Sequence, residues 1–325
     1  MIPVDPVEFP AAQEEAFRKA RQLGWLTVLY IASAAGLTYL LMGASQAMRA
    51  NWLEDTVSIV PAIAFLIASR VARRRPTPHF PYGMHGAVSI GYLTAALALL
   101  AMGGFLLIES TVKLVALEKT SIGGFDLFGH TVWAGWPMLA ALLYSSVPAF
   151  FLGRAKLKLA PKIHDKVLYA DAEMNRADWM TALASAVGVI GVGLGYWWAD
   201  GAAAIIVSLD VLRDGMRNTR AAVTDLISEM PKSTDDPDRM NPLPQQIKTL
   251  LESETWIERA EVRLREEGHV FFGEAFIAIG ATADLPQRLV RLVDAAKALN
   301  WRLHDLTIMP VDGETLRRGM DRPDG

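Results

Sequence analysis

The chain has 325 residues, 52% of them hydrophobic, and a formal net charge of -3. Its mean hydropathy of +0.23 is higher than is usual for a soluble globular protein. The near-neutral charge gives no indication of nucleic-acid binding, and the absence of cysteine excludes disulfides, cysteine-zinc sites and thiol nucleophiles. Apolar runs are concentrated in residues 22–225, whereas residues 232–325 have an ordinary soluble composition. We therefore expect a membrane domain followed by a water-exposed domain.

The apolar part contains six segments long enough to cross a membrane as helices, since a span needs about 20 mostly apolar residues. They are residues 23–47, 51–72, 87–115, 131–153, 167–196 and 200–221. Because lipid cannot satisfy backbone polar groups, the predicted fold class is a membrane α-helical bundle with six transmembrane helices. The polar segment 1–21 lacks the short basic start of a signal peptide, so the first span should be retained.

Lysine and arginine residues in the connections predict the orientation. The connection after the second span reads RVARRRPTPHFPYGMHG, the one after the fourth reads GRAKLKLAPKIHDK, and the sixth span ends in RDGMRNTR. The connection YWWADGA, between the fifth and sixth spans, has no basic residue. Because basic loops stay on the cytoplasmic side, both termini and the water-exposed domain are predicted to be cytoplasmic. The expected location is the cell inner membrane, as a multi-pass protein.

The water-exposed part is predicted to be a small C-terminal α+β domain. Residues 226–242 include the polar run KSTDDPDRMNP and are predicted to be a linker. Residues 243–312 then show the order α-β-β-α-β, with a turn between the first two strands at Glu267 and Gly268. This order predicts helices on one face of a sheet. Residues 313–325 are expected to be disordered.

Two of the predicted spans carry oxygen-bearing side chains at helical spacing. Asn51 and Asp55 lie four residues apart in the second span, and Asp171 and Asp178 lie seven apart in the fifth. Each pair therefore shares one helix face, whereas Glu173 points roughly the opposite way. Ionisable residues within spans are costly and usually functional, and apolar sequence follows Asp178. Carboxylate and amide oxygens are suitable ligands for a divalent cation, so these two pairs are the candidate metal site.

Several of these residues also have a structural interpretation. Asn51 and Asp55 could be a helix cap or outer-surface residues, and Asp171 could be hydrated near the start of its helix. In the sixth span, Asp210 could pair with Arg213 or belong to a proton path. The sequence alone leaves these alternatives open.

Four motifs occur in a fixed order: NWLED at 51–55, HFPYGMHGAVSI at 79–90, ADAEMNRADWM at 170–180 and DGAAAIIVSLDVL at 200–212. Their order and spacing resemble those of the cation diffusion facilitator family, the divalent metal/proton antiporters. The family's corresponding motifs are Asp/Asn-x-x-x-Asp in helix 2, the H-P-Y-G-H loop before helix 3, A-D-A-x-H-x-x-x-D in helix 5, and the entry to helix 6. The resemblance covers about residues 20 to 310 and implies six spans followed by a cytoplasmic α+β domain.

The resemblance implies a transporter rather than an enzyme. It would export a divalent cation of the Mn, Fe, Zn or Co class from the cytoplasm in exchange for protons, by alternating access. Asp55 and Asp178 would bind metal and protons in turn. The implied partners are the metal ion, protons, membrane lipid and a second copy of the chain, bound partly through residues 243–312, with no cofactor and no nucleic acid. A degenerate member serving as a scaffold or sensor is the main alternative, and a channel is another.

The chain departs from the family pattern at the helix 5 histidine, whose position holds Met174. A thioether is a poor ligand for a hard or borderline ion, so either Asp171 or Asn175 supplies a replacement oxygen or the site binds weakly. A site made of oxygens alone would favour Mn(II), Fe(II) or Mg(II) over zinc. The loop at 79–90 keeps His79 and His85 but holds Met84 at the middle histidine position. The tail positions at which family members often bind regulatory metals hold Ala260, Ala278, Thr307 and Met309.

Overall fold

The structure is a computed structural model, and it describes residues 9–41, 55–116, 124–127, 130–133, 135–232, 240–280 and 284–314. Asn51, part of the predicted linker and most of the predicted disordered segment lie outside these residues. The chain divides into two compact units. The helical unit comprises Glu15–Arg70 and Val88–Val223, and the tail unit comprises Met1–Glu14, Val71–Ala87 and Thr224–Gly325.

Six long helices account for most of the first 226 residues. They are α1 (Ala11–Leu41), α2 (Val60–Ala72), α3 (Gly86–Val115), α4 (Gly135–Ile163), α5 (Lys166–Gly193) and α6 (Ala199–Leu226). Each predicted span overlaps one of them. Among the described residues, two helical segments, Asp55–Ala72 and α3, are long and apolar enough to cross a membrane by length and composition. That the chain crosses the membrane six times stays a prediction.

The structure differs from the predicted spans at several helix ends. α1 begins at Ala11, so part of segment 1–21 is helical. The predicted fourth span begins at residue 131, but residues 131–133 belong to a strand. This strand, β2 (His130–Trp133), pairs antiparallel with β1 (Gly124–Leu127). Its β-branched and aromatic residues favour extended backbone, and the helix begins only at Gly135.

Helices α3 and α6 approach each other closely at two glycines. A Cβ atom added to Gly103 would lie 2.6 Å from the backbone nitrogen of Leu212, and one added to Gly215 would lie 2.6 Å from the Cα of Leu100. Such contacts are shorter than any side chain permits, so glycine is required at both positions. Small residues that let helix backbones approach are a common device in membrane helix packing.

The tail unit contains the predicted order of elements. These are α7 (Leu243–Glu252), β3 (Ile257–Glu267), β4 (Val270–Ile279), α8 (Leu285–Leu299) and β5 (Leu303–Val311). The strand order is β3-β4-β5, with β3 and β4 antiparallel and β4 and β5 parallel. The turn between β3 and β4 has Gly268 at a φ of 63°, a conformation that glycine adopts without strain. The prediction of a small C-terminal sheet domain is confirmed.

One face of this sheet forms the hydrophobic core with both helices. The buried side chains of this core come from α7, α8 and all three strands: Leu243, Ile247, Leu251, Ala260, Leu264, Phe271, Ala275, Ile277, Leu292, Ala296, Leu303 and Leu306. The ion pair between Arg302 and Glu266, 2.6 Å long, is buried beside it. The Arg302 guanidinium also lies over the ring of Phe271, 4.0 Å from its centroid. Both helices, α7 and α8, therefore pack on one side of the sheet, as the sequence predicts.

Phe272 lies outside this core and packs in a cluster of aromatic rings. Phe272 follows Phe271 in β4, so it points to the opposite face. Its ring contacts Tyr82 and His85 from the α2–α3 connection and His304 from β5, with centroid separations of 6.1, 6.1 and 5.6 Å. The rings of His85 and His304 lie 5.5 Å apart. The histidine motif in this connection therefore packs within the tail unit.

The aromatic cluster should weaken as the pH falls. Burial, with His304 and His269 nearby, lowers the pKa of His85 from 6.5 to about 4. The folded cluster therefore holds His85 neutral, whereas exposed His85 binds a proton below its ordinary pKa. The stabilisation is complete above about pH 6.5 and falls toward pH 4, with a loss of about 2 kcal/mol at about pH 5.

Pulsed electron paramagnetic resonance can measure this effect, because the chain has no native cysteine. Spin labels at Arg75→Cys and Glu258→Cys, both exposed positions of the tail unit, should give a narrow distance distribution at about pH 8 that broadens at about pH 5. His85→Phe keeps an aromatic ring but removes the titratable group, so its distribution should change less. Equal broadening in both proteins would contradict the role of His85.

Candidate metal site

Asp178 connects α5 to the helical segment that contains α2. The hydroxyl of Ser58 donates a hydrogen bond to Asp178 Oδ1 over 2.7 Å, and the Ser58 side chain is buried. Ser58 lies three residues after Asp55, so both lie on the same side of the helical segment Asp55–Ala72. The hydrogen bond therefore connects the two carboxylate-bearing helices at Asp178.

Asp55 and Tyr30 lie near the same carboxylate. Asp55 is close enough to Asp178 for their charges to interact, and the phenol of Tyr30 is within electrostatic range of both. The Tyr30 hydroxyl donates to the backbone oxygen of Ser145 in α4. Oxygen-bearing side chains from α1, the Asp55–Ala72 segment and α5 thus lie within electrostatic range of one another. Oxygen atoms are the donors that hard divalent ions prefer.

Asp171, the other predicted ligand in α5, has a different partner. Its Oδ2 lies 2.6 Å from Nζ of Lys156 in α4, and the two side chains are 1% and 0% exposed. A fully buried ammonium group requires a carboxylate partner. A metal ion at Asp171 would have to compete with this ion pair. The role of Asp171 as a ligand stays a prediction.

Met174 and Asn175 show which side chain could replace the missing imidazole. Met174 is buried in an apolar cluster with residues of α3, α5 and α6, namely Leu99, Met102, Leu106, Ala177 and Val211. Asn175 donates from Nδ2 to the backbone oxygen of Asp171 over 3.0 Å. Within the described part of the chain, its buried Oδ1 atom has no hydrogen-bond partner. The thioether therefore packs as a hydrophobic group, whereas the amide oxygen of Asn175 is available.

The opposite side of α5 is bound to α6 and α3 by a buried polar network. Glu173 pairs with Arg217 over 2.7 Å and accepts a hydrogen bond from the amide of Asn218. The Asn218 oxygen accepts from the Tyr92 hydroxyl of α3 over 2.8 Å. Glu173 thus points away from the candidate site, as its position in the helix predicts, and joins three helices.

Arg176 extends the contact between α5 and α6. Its guanidinium lies 2.6 Å from Asp210 and 3.3 Å from Asp214. The sequence left open whether Asp210 pairs with Arg213 or belongs to a proton path, and the structure pairs it with Arg176. Asp210 is therefore part of the contact between these two helices.

The described residues contain only part of the predicted site. Asn51 lies outside them, so its position relative to Asp55 and Asp178 is not described. Within residues 9–41, 55–116, 124–127, 130–133, 135–232, 240–280 and 284–314, no group of three or more histidine, aspartate or glutamate side chains could hold a metal ion. The assignment of Asn51, Asp55, Asp171 and Asp178 as metal ligands stays a prediction.

Sequence reasoning missed two residues that the structure brings to this region. Ser58 lies on the same helix face as Asp55, and this spacing is a signal that could have found it. Lys156 lies in the basic run GRAKLKLAPKIHDK, which was interpreted as a cytoplasmic connection. In the structure this run continues α4 as far as Ile163. No local pattern in the sequence distinguishes the buried Lys156 from the neighbouring lysines.

Comparison with known proteins identifies the class to which this arrangement belongs. Residues 24–227, more than half of the chain, match the cation efflux transmembrane domain. The chain therefore belongs to the cation diffusion facilitator family, whose members are transporters and not enzymes. The resemblance inferred from the four motifs is confirmed.

Several bacterial proteins are similar to the chain. The manganese efflux system protein MneS of Bacillus subtilis is 24% identical over 165 residues, which cover 51% of this chain and 53% of the relative. The uncharacterized transporter YdbO of the same organism is 28% identical over 169 residues, covering 52% and 54%. The manganese efflux system protein MneP, also of B. subtilis, is 26% identical over 265 residues, covering 79% and 82%. The chain thus matches about half the length of the first two relatives.

Replacing Glu173 should destabilise the helical unit. Glu173→Ala would remove the buried carboxylate that the Arg217 guanidinium and the Asn218 amide nitrogen share, leaving these donors only their contacts with Asp214, at an expected cost of about 2 kcal/mol. Thermal unfolding of the purified protein in detergent would measure this loss of stability. The partly exposed pair Glu109–Lys113, 2.5 Å long, provides the control. Glu109→Ala should cost less than about 1 kcal/mol, and an equal effect of the two substitutions would contradict the structural role of Glu173.

Proposed function

We propose that the protein exports a divalent metal cation from the cytoplasm in exchange for protons. The observation that carries this proposal is the hydrogen bond from Ser58 to Asp178, which joins the two carboxylate-bearing helices. Family membership supports export as the activity. Asp55 and Asp178 supply the charge of the site, and Asn51 and Asn175 are candidate amide ligands.

The chemistry of the donors supports a hard cation such as Mn(II). Carboxylate, amide and hydroxyl oxygens suit manganese and magnesium, whereas imidazole and thiolate ligands favour zinc. Met174 stands at the family's histidine position and packs in an apolar cluster. Two relatives, MneS and MneP, are named as manganese efflux proteins, which agrees with this preference. Manganese is therefore the first substrate to test.

The proposed exchange follows from competition for the same oxygen atoms. Protons and a metal ion cannot occupy one carboxylate together, so metal binding at Asp55 and Asp178 from the cytoplasm would release protons. Protons entering from the other side would release the metal. Alternating access requires two conformations that open the site to opposite faces, with different metal affinities.

The proposal also includes the arrangement of the protein in the membrane. The six helices α1–α6 would span the cell inner membrane, with both termini in the cytoplasm. The basic connections would face anionic lipid on that side. Two copies of the chain would form a homodimer, held partly by the domain at residues 243–312.

Flux into proteoliposomes tests the proposal directly. Purified protein reconstituted with an imposed pH gradient should transport Mn(II), and a collapsed gradient should abolish accumulation. Asp178→Asn keeps the size of the side chain and one oxygen but removes the charge that attracts the cation. The expected result is a loss of flux of at least about 100-fold.

Asp165→Asn is the matched control for this experiment. Asp165 is also a buried aspartate, and its Oδ1 accepts a hydrogen bond from the backbone nitrogen of Leu168 at the start of α5 over 2.8 Å. Asparagine can keep this cap, so its flux should stay within about threefold of the wild type. Folded wild-type protein that transports none of Mn, Fe, Co, Zn, Cd or Mg would overturn the proposal and favour a degenerate scaffold.

Substitutions of Met174 test whether its sulfur binds the metal. Met174→Leu conserves volume in the apolar cluster, so manganese flux should stay within about threefold. A loss of at least about tenfold from folded protein would instead make the thioether a ligand. Met174→His restores the family's imidazole and should increase the ratio of zinc flux to manganese flux. An unchanged ratio would contradict the assignment of metal preference to this position.

A further inference from the structure

A fully buried ion pair lies one helical turn from the amide of Asn175 and two turns from Asp178. Lys156 Nζ contacts Asp171 Oδ2 at 2.6 Å, with side-chain exposures of 0% and 1%. An unpaired charge at such a position would be far more costly than a paired one, because neither group has water to replace its partner. The pair must therefore form whenever α4 and α5 pack as they do in this structure.

We propose that Lys156 acts as an internal counter-ion that removes Asp171 from the metal-ligand set and fixes the charge of the site at two carboxylates. The inference rests on the proposed function and deepens it. Lys156 does not contact the metal in this account and acts on the site only by neutralising Asp171. Asp171 is then a partner of Lys156 and the metal is held without it.

The charge balance supports this assignment. With Asp171 neutralised by Lys156, the remaining carboxylates near the site are Asp55 and Asp178, and their two charges match one divalent cation. A free Asp171 would add a third negative charge. The ammonium group also lies within electrostatic range of Asp178, so it opposes the entry of a second cation into the same region.

The packing of α4 on α5 explains why the pair is held in place. A Cβ atom added to Gly153, one turn before Lys156, would lie 3.2 Å from the Cβ of Asn175 and 3.3 Å from the backbone oxygen of Ala172. The two helices therefore pack closely one turn from Lys156, and the ion pair is buried between them. Asn175 donates to the backbone of Asp171 and leaves its own Oδ1 unpartnered among the described residues, so it can provide the oxygen that Asp171 does not.

A double-mutant cycle on the full-length protein tests the counter-ion. The variants are Lys156→Met, Asp171→Leu and the double variant, which replaces the ion pair by apolar side chains of similar size. Each single variant leaves one buried charge unpaired and should lower the midpoint of thermal unfolding by about 5 °C or more. The double variant should recover most of that loss. The exposed pair Glu15–Lys19, 2.7 Å long, provides a control cycle in which the coupling should be small.

Manganese binding then separates the two roles of Asp171. Titration calorimetry with Mn(II) should give one ion per chain for the wild type and the double variant, with affinities within about threefold of each other. A loss of affinity of about 100-fold in the double variant, with its thermal stability recovered, would make Asp171 a ligand and overturn the inference. Absence of recovery in the thermal midpoint would also overturn it.

The failure of the proposed function would give a different result. If the folded wild type binds no Mn(II) and no other divalent ion, both the export function and the counter-ion role are wrong. In that case the unfolding cycle would still show strong coupling between Lys156 and Asp171. Strong coupling between Lys156 and Asp171 in thermal unfolding, with no metal binding, would therefore identify a purely structural ion pair.

Discussion

The cost of placing charge inside a helical bundle determines how α5 is built into this protein. Between residues 171 and 178, α5 carries four ionisable side chains, and each contacts a side chain from another helix. The four pairs are Asp171–Lys156, Glu173–Arg217, Arg176–Asp210 and Asp178–Ser58. Only the last partner is neutral. Among the described residues, Asp178 therefore differs from the other three because its hydrogen-bond partner carries no charge, although the Lys156 ammonium is within electrostatic range. A carboxylate in this position can attract a cation.

The helical period of α5 distributes these contacts over two sides. Asp171 and Asn175 face α4, while Glu173 and Arg176 face α6 and, through Asn218, α3. The side of α5 that packs on α4 is therefore distinct from the side that the polar network attaches to α6. Close contact at the glycines between α3 and α6 makes these two helices a tightly packed pair.

Much of the fold could be predicted from the sequence because its signals are local. Long apolar runs located all six helices, and alternation with turn residues located the α-β-β-α-β order of the tail. The hairpin β1–β2 was missed because the residues of β2 were also compatible with the start of a span. The extension of α4 to Ile163 was missed because its basic residues are typical of a cytoplasmic connection. For the site, helical spacing correctly separated Asp178 from Glu173. It could not show that Asp171 faces Lys156, because a buried lysine and a loop lysine look alike in a sequence.

The central claim is that the metal binds where the Asp55–Ala72 segment meets α5, at Asp55 and Asp178. The most direct measurement is an anomalous difference map from crystals of the full-length protein soaked in Mn(II) and measured near the manganese absorption edge. We expect a peak within about 2.5 Å of a carboxylate oxygen of Asp178 and no peak between Lys156 and Asp171. A peak at Asp171, or peaks only at the histidines of the tail unit, would contradict this account.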